Sequence, residues 1–161
     1  MKTPAFILLS LWFYCANAQT NISGIINAYT PVTAITNAGC NVQVTVGSPS
    51  AFAPGDKVLL IQMKGAVIDT SNSSAFGDVL NLNDAGSYEF SRVLSITGQN
   101  ITLTTNPVNS YNVNGKVQLV RVPEYTNATV NGTLTAQAWN GTTGGILVFD
   151  VSNTLTLGAT I

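Results

Sequence analysis

Apolar and polar residues alternate along most of this chain, and glycine, proline and asparagine cut the alternation at short intervals. That pattern confines the backbone to short strands. In Asn41-Val42-Gln43-Val44-Thr45-Val46 the period of two puts Val42, Val44 and Val46 on one face of a half-buried strand. Thr30-Pro31-Val32-Thr33-Ala34-Ile35-Thr36 alternates in the same way. Gly47-Ser48-Pro49-Ser50 ends the second run, and Ala53-Pro54-Gly55-Asp56 places Pro and Gly as a type II turn requires. Lys57 to Met63 is a near-continuous apolar run, short enough for a strand of the core. Tyr88 to Ile96, Ile101 to Thr104 and Lys116 to Val122 read as three more strands, the first two joined tightly through Gly98-Gln99-Asn100. Between Asp69 and Ser87 a polar stretch reads as a long surface loop. No segment carries a helical period with caps.

Pro123 marks a change. Beyond it come longer alternating runs, with Asn131-Gly132 and Asn140-Gly141 read as turns. Thr133-Leu134-Thr135-Ala136 is echoed by Thr154-Leu155-Thr156-Leu157 further along the chain. One coil of a β-solenoid has a period of this order, and a plain hairpin repeat fits the same spacing. The expected fold is therefore all-β. A lead-in over 19–29 precedes a small β-barrel or sandwich over 30–123. The first rungs of a β-solenoid, or an accessory sheet, follow over 124–161. The strand-like stretch from Gly144 to Ile161 has no closing turn or polar tail, so a longer β-rich protein is expected to continue from it.

The first residues resemble a secretory signal over 1–18. Lys2 supplies the positive start, Ala5 to Tyr14 the apolar stretch, and Ala16-Asn17-Ala18 the small-residue cleavage site before Gln19. The apolar stretch is shorter than the about 20 residues that span a bilayer, so membrane insertion is not expected. Tyr14 before Cys15 argues against lipidation. Cleavage between Ala18 and Gln19 would release a secreted or surface-located chain in which Cys40 is the one cysteine. Cys40 is then expected to be a small, half-buried residue, or a crosslink to another chain or to a further part of this one.

Several chemistries lack their residues. With no histidine, neither a Ser-His-Asp nor a Cys-His arrangement nor a His-containing zinc site can be assembled. No phosphate-binding Gly-x-x-x-x-Gly-Lys-Ser/Thr or Gly-x-Gly-x-x-Gly sequence occurs; Gly141-Thr142-Thr143-Gly144-Gly145 reads as a turn. A net charge of −1 with 8% charged residues offers no clustered basic surface for nucleic acid.

Weaker candidates remain. A carboxylate pair for glycoside hydrolysis needs a separation of roughly 5 to 10 Å. Asp69, Asp78, Asp84 and Glu89 lie in or beside the polar stretch, where solvated loop positions are the simpler reading. Asp78, Asn81, Asn83 and Asp84 are the candidate calcium ligands, although Arg92 stands where a calcium loop ends in an acidic residue. No other cofactor is indicated. Asp56 and Lys57 read as turn stabilisers, and Asp150 as a carboxylate at a sheet edge or rung end. Among the aromatics, Tyr111, Tyr125 and Trp139 are the candidates for stacking on a sugar, while Phe90 and Trp139 lie in apolar patterns that favour the core.

Four blocks carry a resemblance. Phe52-x-Pro54-Gly55-Asp56-Lys57-Val58-Leu59-Leu60-Ile61-Gln62-Met63-Lys64-Gly65-Ala66, Gly115 to Tyr125, and Trp139 to Phe149 resemble the N-terminal β-region of large secreted proteins of Bacteroidota. Ala85-Gly86-Ser87-Tyr88-Glu89-Phe90 belongs to the same pattern. The resemblance implies adhesin-like and gliding-motility-associated proteins exported by type IX secretion, with repeats downstream and no catalytic motif in this region. The expected function is a non-enzymatic structural or adhesive module. Its partners would be downstream domains, surface glycans or other extracellular proteins. The alternatives are a carbohydrate-binding module, or the leading domain of a solenoid polysaccharide lyase or hydrolase whose active site lies beyond residue 161.

Overall fold

The computed structural model describes residues 19–161; the expected signal segment lies outside the described residues. The chain is all-β. Its strands are β1 (Gln19–Gly24), β2 (Tyr29–Ala38), β3 (Asn41–Val46), β4 (Lys57–Gln62), β5 (Val67–Ile68) and β6 (Val79–Asn81). They continue as β7 (Tyr88–Thr97), β8 (Asn100–Leu103), β9 (Val117–Val122), β10 (Glu124–Leu134) and β11 (Asp150–Leu157). The one helical element among the described residues is a 3₁₀ turn at Val113–Gly115.

Six strands close a barrel in the order β2-β3-β8-β7-β4-β9, every pair antiparallel. Closure depends on β2. Tyr29 to Pro31 pair with β9, a register shift follows between Val32 and Ala34, and the rest of the strand pairs with β3. One strand thereby serves two neighbours, as a bulge permits. The turn before β4 forms as read: Gly55 has φ 94°, Asp56 N–H donates to Ala53 O at 3.1 Å, and the Asp56 carboxylate accepts from Ala53 N–H at 2.8 Å.

Strands β4 and β9 explain why their sequences are apolar on both faces. Val58, Leu60, Val117 and Leu119 point into the barrel with Val42, Val44, Ile101 and Leu103. Leu59, Val120 and Val122 point outward, where Ile146 and Val148 cover them. A strand buried on two faces loses the polar half of its alternation.

Outside the barrel, β1, β10 and β11 form a parallel three-stranded sheet with β10 in the centre. The lead-in is thus itself a strand, although Asn, Ser and Gly break its pattern: β10 supplies the backbone partner. The segment 135–149 returns the chain from β10 to β11 and lies between barrel and sheet. Its Ile146 and Val148 pack on the barrel, and its Leu147 and Phe149 pack on Ile22, Ala128 and Val130 of the sheet. Alternation in this half-buried strap therefore sorts residues between two cores. Buried polar side chains fasten it. The Gln118 amide brackets Gly144, donating to its carbonyl at 3.0 Å and accepting from its N–H at 2.9 Å. Asn27 donates to Val148 O at 2.6 Å, and Tyr29 Oη donates to Ile146 O at 2.5 Å.

The parallel register corrects the repeat expected from the Thr-Leu-Thr motifs. Ala128 pairs with Leu155 and Val130 with Leu157, so Thr133–Ala136 are not the stacking partners of Thr154–Leu157. The advance from one strand to the next is longer than the spacing of the motifs. Asn131-Gly132 is not a turn either, because β10 runs through it to Leu134. Asn140-Gly141 is one: Asn140 Oδ1 accepts from Thr142 N–H and Thr143 N–H at 3.0 and 2.9 Å.

Two burial expectations also change. Cys40 is exposed at the tip of the β2–β3 hairpin, where no second layer covers it. Phe90 is 46% exposed, because the β7 face that carries Tyr88 and Phe90 points away from the barrel interior.

Candidate functional site

A cleft of about 470 Å³ opens at one mouth of the barrel, lined by Gln62, Lys64, Asn83, Asp84, Asn112 and Asn114. Gln62 builds its floor. It is the last residue of β4 and continues the inward side of Val58 and Leu60, yet it carries an amide. The side chain is wholly buried and its polar atoms are paired. Nε2 donates to Lys64 O and Asn83 O, each at 2.8 Å, and Oε1 accepts from Asn112 N–H at 2.7 Å. One amide thus fixes three chain segments around the cleft.

Gly115 allows that approach. A Cβ there would collide with the Gln62 amide and the Lys64 carbonyl, so only glycine fits beneath the clamp. On the opposite rim Asn83 and Asp84 hold left-handed backbone angles, φ 44° and 62°. Asn81 Oδ1 accepts from Asn83 N–H at 2.8 Å, and Asn83 Nδ2 donates to Gly65 O at 3.1 Å. Asn112 Oδ1 caps the 3₁₀ turn by accepting from Asn114 N–H at 3.0 Å.

The calcium candidates are divided by this arrangement. Asn83 and Asp84 reach the cleft, Asn81 serves the turn between them, and Asp78 stands at the far end of β6. Among the described residues no group of three or more His, Cys, Asp or Glu side chains is placed to hold a metal ion.

The sugar-stacking candidates do not form a row. Tyr111 packs against the barrel core and its hydroxyl lies 3.3 Å from Glu89 Oε1. Tyr125 packs in the parallel-sheet core. Trp139, half-buried in the strap, lies beside Lys64, whose Nζ is 6.0 Å from the ring centroid. Phe76, Tyr88 and Phe90 are the aromatics in the open among the described residues; Tyr88 and Phe90 meet edge to face at 6.2 Å, with the Lys57 ammonium 5.1 Å from the Phe90 ring. Glu89 between them turns inward and accepts from Val108 N–H and Asn109 N–H at 2.8 and 2.6 Å, which ties down the loop after β8.

One carboxylate pair is assembled that sequence spacing does not reveal. Glu124 and Asp150 are register partners on β10 and β11 and line a second cleft of about 360 Å³. Arg92 grips Glu124 through two bonds of 2.7 and 2.6 Å, and Lys57 pairs with Asp150. Arg92 holds the Glu124 carboxyl below its ordinary range, the reverse of what a general acid requires. These pairs join the barrel strands β4 and β7 to the parallel sheet.

Burial raises the pKa of Tyr111, Tyr29 and Tyr125 above the ordinary phenol value of 10.0; at Tyr111 the Glu89 charge adds to it. The folded chain therefore favours the neutral phenols. Stability is expected to be complete below pH 10 and to fall as pH rises above it, where the unfolded chain ionises first. Urea midpoints measured from pH 8 upward should show this decline, and Tyr111→Phe should make it shallower. An unchanged slope in Tyr111→Phe would remove Tyr111 as its source.

Fold and cleft together define an all-β chain in which a closed barrel is strapped to a parallel sheet. Comparison with protein-family models, curated proteins and solved structures returns no match to this chain.

Proposed function

We propose that this chain is a non-enzymatic structural module of a secreted or cell-surface protein, in which the barrel braces one end of a parallel β-stack and β11 receives the next strand. The observation that carries this reading is the state of β11. Thr20, Ala128 and Leu155 form one cross-strand column and Ile22, Val130 and Leu157 another. Ala128 and Val130 are wholly buried, whereas Leu155 and Leu157 are 41% and 62% exposed. Among the described residues β11 has no partner on its far side. The strap that covers the inner face of β10 is a coil that a following rung would repeat, as in a solenoid. Export is supported by the signal-like segment 1–18, and cleavage before Gln19 would leave β1 whole.

The contact surface of the module is the projection between β4 and β7. The hairpin β5–β6 begins just before the expected polar loop and runs into it, and it exposes apolar side chains among the polar ones. Val67, Ile68, Phe76, Val79, Leu80 and Leu82 are each 46% to 69% exposed. A two-stranded ribbon with this much exposed apolar surface suits contact with another macromolecule.

An unpaired apolar edge associates with other edges. The purified chain is therefore expected to self-associate with rising concentration in light-scattering chromatography. The double substitution Leu155→Lys with Leu157→Lys is expected to leave it monomeric. A chain that is monomeric at every concentration without the substitutions would count against β11 as a strand acceptor.

A further inference from the structure

We propose that the Gln62 cleft is a binding site for neutral glycans, presenting hydrogen-bonding groups to the hydroxyls of one or two pyranose units. Strand addition at β11, on the parallel sheet outside the barrel, plays no part in it. The fold leaves several polar groups of the cleft unused. Lys64 and Asp84 form no ion pair with each other or with any other described residue. The Asn114 side-chain amide and the Nδ2 of Asn112 have no protein partner among the described residues. The cleft therefore offers an ammonium and two amide donors beside a carboxylate and an amide acceptor.

The chemistry of that set selects the ligand. No apolar side chain lines the cleft, so an apolar ligand would gain little by entering. Lys64 and Asp84 cancel in charge, so neither an anion nor a cation is favoured overall. A hydroxyl both donates and accepts, which matches donors and acceptors set side by side. Adjacent hydroxyls of a sugar ring present that pairing repeatedly. Rigidity is supplied by Gln62, which pins the three lining segments before any ligand arrives and so reduces the ordering cost of binding.

The test uses the purified chain and an immobilised panel of cello-, malto-, manno- and chito-oligosaccharides, with alginate and heparin oligosaccharides as charged probes. At least one neutral oligosaccharide is expected to bind, more tightly than either charged probe. In ¹⁵N-labelled chain it should shift the backbone amides of Lys64, Gly65 and residues 112–116. Asp84→Asn keeps a residue that tolerates the left-handed backbone, and Asn114→Ala removes an amide that holds nothing in the fold. Each is expected to weaken binding about tenfold while the thermal midpoint stays unchanged. Leu155→Lys is expected to leave binding intact, which separates this site from the β11 edge. The proposal is overturned if no neutral oligosaccharide of the panel binds, or if the charged probes bind better. It is equally overturned if the shifts map to the Tyr88–Phe90 face, or if both cleft variants bind as the parent does.

Discussion

Gln62→Leu is expected to destabilise the chain by about 3 to 4 kcal/mol, although it replaces a polar residue with an apolar one of similar size at a buried position. Intuition from composition runs the other way, since the position continues the inward row of Val58 and Leu60. The difference lies in what the amide holds. Leucine would leave Asn112 N–H, Lys64 O and Asn83 O without their partner at the barrel mouth. Each buried group left unpaired costs about 1 to 3 kcal/mol, and the cleft allows water to recover part of that. Gln43 provides the control: it lies in β3, half-buried, and its side chain makes no hydrogen bond within the described residues. Gln43→Leu should change stability by no more than about 0.5 kcal/mol. Urea unfolding of the two variants, read against the parent, measures the contrast. A Gln62→Leu loss below about 1 kcal/mol would mean that water replaces the clamp without penalty.

Val130→Asp is expected to cost about 4 kcal/mol or more and to act on one core only. Val130 is wholly buried at the centre of the parallel sheet, against Ile22, Ala128 and Leu134, with Leu147 and Phe149 from the strap. No charged side chain belongs to that cluster, so the new carboxylate would be both desolvated and unpaired. The barrel core shares no residue with it. Amide exchange should therefore show β1, β10 and β11 losing protection while β3, β4 and β8 keep theirs, and proteolysis should cut within 124–161 first. Loss of protection in all strands together would show that the strap couples the two cores into one cooperative unit.

Much of the barrel can be read from local pattern. The alternation at Val42, Val44 and Val46 and the apolar run at β4 are properties of a few consecutive residues, as is the Pro54-Gly55 turn, and each appears in the structure where the pattern puts it. The missing histidine likewise bounds the chemistry without any structure. Less of the cleft is legible. Asn83 and Asp84 stand out in the sequence only as calcium candidates, and Gln62 looks like the end of an apolar strand. Its role arises because Lys64, Asn83 and Asn112, separated along the chain, meet at one amide.

The same limit explains the misplaced features. Tyr88, Phe90 and Arg92 share one face of β7, and alternation tells that two faces differ without telling which one meets the barrel interior. β1 looks like a lead-in because its own residues are weakly patterned, and it becomes a strand because β10 is there to pair with it. Thr154 echoes Thr133 in the sequence but pairs with Asn127 in the sheet, since a coil is measured by backbone pairing and not by recurring letters. From its sequence alone, this chain is determined to be a strand-rich, weakly charged protein whose turns fall at identifiable residues, because those properties depend on neighbours in the chain. Which strands close the barrel, which apolar face stays open and which polar groups share a cleft were decided only by tertiary structure, because each depends on residues brought together from distant positions.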